Sequence, residues 1–266
     1  MKMKKISCTL ICVLMLIAVA VFAAGCGAKK ADVKQKTLLD SIKEKGVMTI
    51  GTSPDYPPFE FIGKDGKVAG LDMDLINAIS KEMGVNVQLS QMGFDSIIGA
   101  VKSGQVDIGV SGFTVTPARQ KSVDFTDPYF SGGQVIIAKK DSPITGAADL
   151  KGKIVGVQGG TTGEEAANKV GAGTVKTYQD FLVAIQELKS GNIDAVIGDQ
   201  SVAKNVVAQQ PEFVVKGTPL NAEETAIIVK KGNAELVTAL NDAIKKVKQS
   251  GDYDKILAKW ANYKAK

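Results

Sequence analysis

Short β-branched runs alternate with amphipathic helical patterns from Thr37 to the end of the chain. The run "VMTIGTS" is typical of a strand, and "DLINAISKEMG" repeats apolar residues every three or four positions before a glycine. This alternation predicts parallel strands joined by helices that cover both faces of a sheet. The predicted fold class is therefore α/β.

One nine-residue sequence pattern occurs twice along the chain. "KSGQVDIGV" begins at Lys102 and "KSGNIDAVI" begins at Lys189, and in each a helix pattern stops at glycine before a strand begins. Lys-Ser-Gly is a common helix stop, but recurrence of the whole helix–turn–strand unit favours two similar lobes. Ligands of such sheets bind beyond the carboxyl ends of the strands. The residues that follow the two copies should therefore meet at one site between the lobes.

Oppositely charged side chains follow the two copies. After the first comes "SGFTVTPAR", in which Thr116 and Pro117 fit the start of a short helix that carries Arg119. Arginine grips a carboxylate with two parallel hydrogen bonds. After the second copy comes Asp199, which suits a protonated amine. Each residue alone fits an ordinary surface charge, but together they complement a zwitterion and suggest an α-amino acid as ligand.

Two further segments carry candidate site residues. In "QGGTTGEE", Thr161 and Glu164 fit a capping box, and the exposed N–H groups of such a helix start attract an anion. A capped helix without a ligand explains this motif equally well. In "SPDYPPFEF", Tyr56 follows the first strand, and Phe94 precedes a later helix. Both aromatic rings fit either a ligand contact or the core.

The N-terminus has the layout of a secretory signal. Lysines precede the apolar run "ISCTLICVLMLIAVAVFAAG", which is long enough to be a membrane anchor. The run ends in "AAGC", which resembles the lipobox of bacterial lipoproteins, although Ala23 stands where leucine is usual. Residues 1–25 are therefore predicted to be a lipoprotein signal peptide, and Cys26 the lipidated residue. A plain signal-peptidase site is the alternative. Residues 26–37 fit a flexible tether.

Composition excludes several classes of function. The chain has no histidine, and its other two cysteines lie in the apolar run, so a zinc site or a Cys/His catalytic pair is not expected. Net charge is +5, and about +2 without the N-terminal lysines. No basic patch with interleaved aromatics occurs, so nucleic acid is not an expected partner. We also predict no cofactor and no metal.

From about Thr49 to Tyr263 the chain resembles the family 3 extracellular solute-binding proteins of ABC transporters for polar amino acids. The resemblance rests on "IGTSPDYPPFEF", "GLDMDLINAIS", "FDSIIGAVKSGQVDIGVSGFTVTPARQKSVDFTDPYF", "LKGKIVGVQGGTT" and "IDAVIGD". It implies a two-lobed periplasmic-binding-protein fold of type II that closes on its ligand. It implies a first lobe of residues 38–131 and 227–266 and a second lobe of residues 132–226. Hinges are expected near residues 130–134 and 223–227.

The resemblance also implies roles for individual residues. Arg119 would bind the ligand carboxylate, with Thr114 and the backbone near Gly112 and Thr162. Asp199 would bind the amino group, and Tyr56 and Phe94 would enclose the side chain. The full set of expected ligand-binding residues is Ser53, Tyr56, Phe94, Ser111, Gly112, Thr114, Arg119, Gln158, Thr161, Thr162 and Asp199.

Ligand identity stays open within the polar class. Ser53 and Gln158 form a neutral pair that suits glutamine, while Asp55 or Glu60 would serve arginine or lysine. The expected protein is a monomer that is anchored to the bacterial membrane on its outer side and delivers its ligand to ABC permease subunits. It is not expected to be an enzyme.

Two rival functions remain to be compared with this prediction. A cyclohexadienyl dehydratase-like enzyme on the same fold would need a carboxylic acid such as Glu164 or Glu165. A receptor or channel sensing domain is disfavoured, because the sequence shows no second hydrophobic span and no signalling domain.

Overall fold

The computed structural model describes residues 36–261 and residue 263. The predicted signal peptide and Cys26 lie outside these residues. The described helices are α1 Leu38–Lys45, α2 Leu71–Met83, α3 Phe94–Ser103, α4 Pro117–Gln120, α5 Thr162–Lys169, α6 Phe181–Ser190, α7 Gln200–Gln209, α8 Ala234–Gln249 and α9 Asp252–Ala261, with a 3₁₀ turn at Ala147–Leu150.

The described strands form two five-stranded sheets and two small ones. The first large sheet has the order β5-β1-β6-β15-β7 and the second β11-β10-β12-β9-β13. Their bounds are β1 Val47–Thr52, β5 Asn86–Gln91, β6 Ile108–Gly109, β7 Val123–Phe125 and β15 Ile228–Lys230, and β9 Gln134–Lys139, β10 Ile154–Gln158, β11 Thr174–Tyr178, β12 Ala195–Asp199 and β13 Phe213–Lys216. The small sheets hold β2 Asp55–Tyr56, β3 Glu60–Ile62 and β4 Val68–Ala69, and β8 Phe130–Gly132 with β14 Glu223–Thr225.

The expectation of wholly parallel sheets is wrong for one strand in each. β15 runs antiparallel to both of its neighbours in the first sheet, and β9 does the same in the second. The remaining strands of each sheet share one direction. Each antiparallel strand is the one at which the chain arrives from the other large sheet. It therefore lacks the helical crossover that makes successive strands parallel.

The two copies of the repeated pattern, which begin at Lys102 and Lys189, form the same local structure in both sheets. α3 and α6 end at Gly104 and Gly191, whose φ angles of 79° and 80° lie in the left-handed region that favours glycine. The aspartates that follow tie the next strand to its neighbour. Asp107 accepts the backbone N–H of Thr49 at 2.7 Å, and Asp194 accepts that of Ile154 at 2.7 Å. This internal repetition confirms the predicted pair of similar lobes.

The chain crosses between the large sheets through β8 and β14, which pair with each other. The antiparallel register places Glu223 opposite Gly132 and Thr225 opposite Phe130. These segments coincide with the predicted hinges at residues 130–134 and 223–227. Because the two crossings are hydrogen-bonded to each other, the ends of the two sheets are held close together.

One helix was not expected from the sequence. α1 begins after Thr37, whose hydroxyl accepts the N–H of Asp40 while the Asp40 carboxylate accepts the N–H of Thr37. The spacing Thr-x-x-Asp and the stop at Gly46 are the signals that would have revealed it.

Candidate functional site

A narrow cavity lies between the ends of the two large sheets. Both lobes contribute to its lining, which consists of Asp55, Tyr56, Glu60, Phe94, Ser111, Gly112, Thr114, Arg119, Gln134, Gln158, Thr161, Thr162 and Asp199. Every predicted ligand-binding residue except Ser53 lines this cavity. Ser53 is buried just behind it, with its hydroxyl 2.7 Å from the Asp55 carboxylate.

The loop after β6 positions the cationic side of the cavity. Gly112 has a φ angle of 56°, which a side chain would strain, and its N–H donates to Asp72 at 2.9 Å. The Thr116 hydroxyl accepts the N–H of Arg119 at 3.2 Å, with Pro117 as the first helical residue. The predicted N-cap is confirmed, and it directs Arg119 from the first turn of α4.

Arg119 is held by contacts from both lobes. Its Nη1 donates to the Thr114 carbonyl at 2.9 Å, and its Nη2 donates to the Gly160 carbonyl at 3.0 Å. The guanidinium carbon lies 5.4 Å from the ring centres of Phe94 and Phe113. Burial lowers the pKa of Arg119, and nearby carboxylates oppose this effect. These two hydrogen bonds fix the guanidinium in place. They use two of its five N–H donors.

Asp199, at the end of β12, lines the same cavity from the second lobe. Its backbone N–H donates to the Tyr56 hydroxyl at 2.9 Å, which links the first lobe to the second. Burial and the negative charge of Glu223 raise the pKa of Asp199 to about 7. The Tyr56 hydroxyl and the positive charge of Arg119 oppose that rise. The structure thus brings together Arg119 and Asp199, the charged residues that follow the two copies of the repeated pattern.

The segment after β10 differs in one detail from its prediction. Thr161 caps α5 by accepting the N–H of Glu164 at 3.3 Å, as expected. The Glu164 carboxylate, however, accepts the N–H of Gly160 at 2.8 Å rather than that of Thr161. The reciprocal capping box is therefore wrong, because the sharp turn at Gly160 brings the earlier N–H within reach. Neither Glu164 nor Glu165 lines the cavity.

Asp55 links the two lobes by accepting three hydrogen bonds. It accepts from the Ser53 hydroxyl, the Gln158 side-chain amide and the Phe181 backbone N–H, each at 2.7 Å. Two of these donors belong to the second lobe. Burial raises the pKa of Asp55 to about 6. Ser53 and Gln158, expected to face a ligand side chain as a neutral pair, are both directed at this carboxylate.

Glu60 is the other buried carboxyl group of the cavity. Its side chain is 1% exposed, and one oxygen accepts the Ser111 hydroxyl at 2.8 Å. The second oxygen is buried and has no hydrogen-bond partner among the described residues. Behind it, Asp72 accepts the Tyr129 hydroxyl at 2.8 Å. Burial, reinforced by the charge of Asp72, raises the pKa of Glu60 well above its usual range.

Sequence reasoning missed two polar residues of the site. Gln134 lines the cavity at the start of β9, and the Glu223 carboxylate accepts its side-chain amide at 3.0 Å. Both residues fall in the predicted hinges. The only sequence signal for Gln134 is that a polar residue begins a strand of β-branched residues.

The sequence profile of the bacterial extracellular solute-binding proteins, family 3, matches residues 48–263 of the chain. The chain belongs to this family. The solute-binding protein is 32% identical to the L-cystine-binding protein TcyJ of Escherichia coli (strain K12), over 92% of this chain and 94% of that one. It is 37% identical to the arginine-binding extracellular protein ArtP of Bacillus subtilis (strain 168), over 83% and 88% of the two chains.

Solved structures share the fold of this solute-binding protein. An ancestral arginine-binding protein bound to glutamine is 45% identical, with a TM-score of 0.78 over 81% of this chain and 97% of that chain. The ancestral amino acid-binding protein AncCDT-1, a precursor of cyclohexadienyl dehydratase, is 38% identical, with a TM-score of 0.81 over 85% of this chain and 100% of that chain. The predicted type II two-lobed fold is confirmed. In the described part of the chain, no helix is long and apolar enough to cross a membrane.

We expect Asp55→Asn to weaken contact between the lobes. All three groups around Asp55 donate hydrogen bonds, and asparagine replaces one accepting oxygen with an NH2 group, so one of the three buried donors loses its acceptor even if the Ser53 hydroxyl turns to accept. Such a loss costs about 1–3 kcal/mol. Small-angle scattering should give the variant a larger radius of gyration than the wild-type protein under conditions in which the wild type is closed. Asp65→Asn, an exposed change on the β3–β4 turn, is the control. Equal radii for all three proteins would contradict the prediction.

Proposed function

We propose that this solute-binding protein captures L-arginine outside the cytoplasm and delivers it to an ABC importer. The observation that carries the proposal is the buried carboxyl group of Glu60, which lines a cavity that also contains Arg119 and Asp199. L-lysine and L-glutamine are the other candidates.

The two ends of an amino acid match the charges of the cavity. Arg119 lies beside the backbone of Gly160 and near the start of α5, where a ligand carboxylate would meet both the guanidinium and helix N–H groups. Asp199 would accept the ammonium group. Tyr56 and Phe94 would contact the apolar stem between these ends and the side-chain group. The ligand would therefore replace water at both charges with charge-assisted hydrogen bonds, each worth about 1.5–3 kcal/mol.

Glu60 distinguishes a cationic side chain from a neutral one. Burial and Asp72 raise the pKa of Glu60 in the absence of a ligand, and a guanidinium would stabilise its ionised form with charge-assisted hydrogen bonds. Asp55 is less suited to this role, because donors from the protein already occupy both of its oxygens. A protonated Glu60 would instead donate to the amide oxygen of glutamine, so the two ligands require different protonation states of one residue.

The relatives support an amino acid ligand without deciding which one. Their names cover arginine and cystine, and an ancestral arginine-binding protein has solved structures bound to glutamine and to arginine. Charge complementarity at Glu60 is what favours arginine here.

A dehydratase-like reaction is the alternative that AncCDT-1 raises. We propose binding without chemistry, since the carboxyl groups considered for catalysis, Glu164 and Glu165, lie away from the cavity lining and Glu164 is engaged with Gly160. Incubation with prephenate or arogenate tests this. Product in excess over protein would replace the binding proposal with an enzymatic one.

We further propose that the protein acts as a monomer attached to the outer side of the membrane by a lipid on Cys26, in contact with the permease subunits of its importer. The motif "AAGC" after the apolar run supports the anchor. Cys26→Ala should move the protein from the membrane fraction to the soluble extracytoplasmic fraction. A variant that stays in membranes with its apolar run intact would indicate a permanent anchor.

The substitution Glu60→Gln should separate cationic from neutral ligands. Loss of the carboxylate removes a charge-assisted pair with arginine, so affinity for L-arginine should fall by about tenfold to a few hundredfold, while affinity for L-glutamine should change little. Calorimetry with L-arginine, L-lysine and L-glutamine measures this directly. Glu82→Gln, an exposed change on α2, is the control. Equal losses for arginine and glutamine would remove Glu60 from side-chain recognition.

Binding should weaken as pH falls through the pKa of Asp199, which is about 7 without a ligand. Only the ionised aspartate pairs with an ammonium group, so affinity is full above this pKa. Below it the ligand must displace a proton, and affinity falls by up to tenfold per pH unit for this one group. Calorimetry from about pH 5 to about pH 8 in buffers of different ionisation enthalpy should show proton release on the acid side. Constant affinity over that range would contradict the assignment.

A further inference from the structure

Glu223, in the second hinge, accepts hydrogen bonds from both lobes and from the first hinge. It begins β14 and is 8% exposed. One oxygen accepts the Asn221 side-chain amide at 2.8 Å. The other accepts the Thr114 hydroxyl at 2.8 Å, the Gln134 amide at 3.0 Å and the Thr162 hydroxyl at 3.0 Å. Thr114 belongs to the first lobe, Thr162 to the second, and Gln134 to the end of the first hinge. All four partners act as donors.

These bonds fix the direction of the threonine hydroxyl groups. Each hydroxyl has a single hydrogen. The distance between the Thr114 and Thr162 oxygens is 3.3 Å, longer than the distance from either one to Glu223. Both hydrogens are therefore directed at Glu223. Thr114 keeps both of its oxygen lone pairs, and Thr162 keeps the one that the Gln134 amide does not use, so the two threonines can accept hydrogen bonds from a ligand but not donate to it.

Gln134 is oriented by the same carboxylate. Its amide nitrogen donates to Glu223 at 3.0 Å and to Thr162 at 3.2 Å. The residue lines the cavity and is 1% exposed, and its side-chain oxygen is buried without a hydrogen-bond partner among the described residues. Glu223 thus turns three neighbouring polar side chains so that oxygen, rather than hydrogen, is available on the side away from it.

We infer that Glu223 is a positioning residue for recognition of the ligand's ammonium group. An ammonium has three donors, and the Asp199 carboxylate cannot satisfy all of them in one geometry. The oxygens that Glu223 orients supply the additional acceptors on the same cavity. Because its partners come from both lobes, Glu223 completes this arrangement only when the lobes meet, which couples closure to recognition. The inference rests on the proposed function, since it requires an amino acid in the cavity.

The substitution Glu223→Gln tests this role. The amide brings N–H groups into a ring of donors, so one hydroxyl or the Gln134 amide must turn. Affinity for L-arginine and L-glutamine should fall by a similar factor of about ten to a hundred, because both ligands share the ammonium group. Glu60→Gln, in contrast, should affect arginine selectively. Glu224→Gln changes the adjacent exposed residue of β14 and should bind like wild type.

The pH profile distinguishes positioning from general loss of structure. The charge of Glu223 raises the pKa of Asp199, so removing it should shift the acid limb of the affinity profile to lower pH. A variant that is merely destabilised would lose affinity without this shift. Thr114→Val should also weaken both ligands, and Thr114→Ser should restore binding by restoring the hydroxyl.

The outcomes are distinct. If wild-type protein binds none of L-arginine, L-lysine and L-glutamine, the proposed function is overturned and this inference with it. If wild type binds and Glu223→Gln binds equally well, or loses affinity with an unchanged acid limb, the inference alone is overturned. A matched loss for both ligands, a shifted acid limb and rescue by Thr114→Ser support it.

Discussion

The pairing of the two hinge strands is the interaction on which the rest of the structure depends. β8 and β14 are short, and each by itself would be a flexible connection. Paired in antiparallel register, they hold the ends of β6 and β12 close enough for Arg119 and Asp199 to line one cavity. They also explain the single reversed strand in each large sheet, because β9 and β15 are the strands reached through these hinges.

The acidic side chains that line the cavity outnumber the basic ones. Asp55, Glu60 and Asp199 line it with Arg119 as the cation. Loss of hydration raises the pKa of all three carboxyl groups. Donors from the protein fully engage Asp55, whereas Glu60 keeps a free oxygen. This difference between Asp55 and Glu60 is the basis of the proposed preference for a ligand with a cationic side chain.

The contacts that close the cavity also prepare it for a ligand. Asp55 bonds to Gln158 across the lobes, Arg119 bonds to Gly160, and Glu223 draws Thr114 and Thr162 together. Each contact orients a polar group that lines the cavity. In the proposed function, closure and recognition would use the same hydrogen bonds, and a ligand that prefers the oriented groups would shift the protein toward the closed form.

By itself the sequence determined the α/β class, the two lobes, the hinges and most of the cavity lining. The class, the two lobes and the meeting of Arg119 with Asp199 follow from local signals: periodicity, glycine stops, the N-cap before Arg119 and the rule that ligands bind beyond strand ends. The hinges and the other lining residues follow from the resemblance to the family. Tertiary structure alone decided that Ser53 and Gln158 serve Asp55, that Glu60 keeps a free oxygen and that Glu223 links both lobes. The partners of these residues lie far away in the chain, 103 positions for Asp55 and Gln158 and 109 for Thr114 and Glu223. No local pattern encodes which buried acceptor meets which donor, because that choice is made only when the two sheets pack against each other.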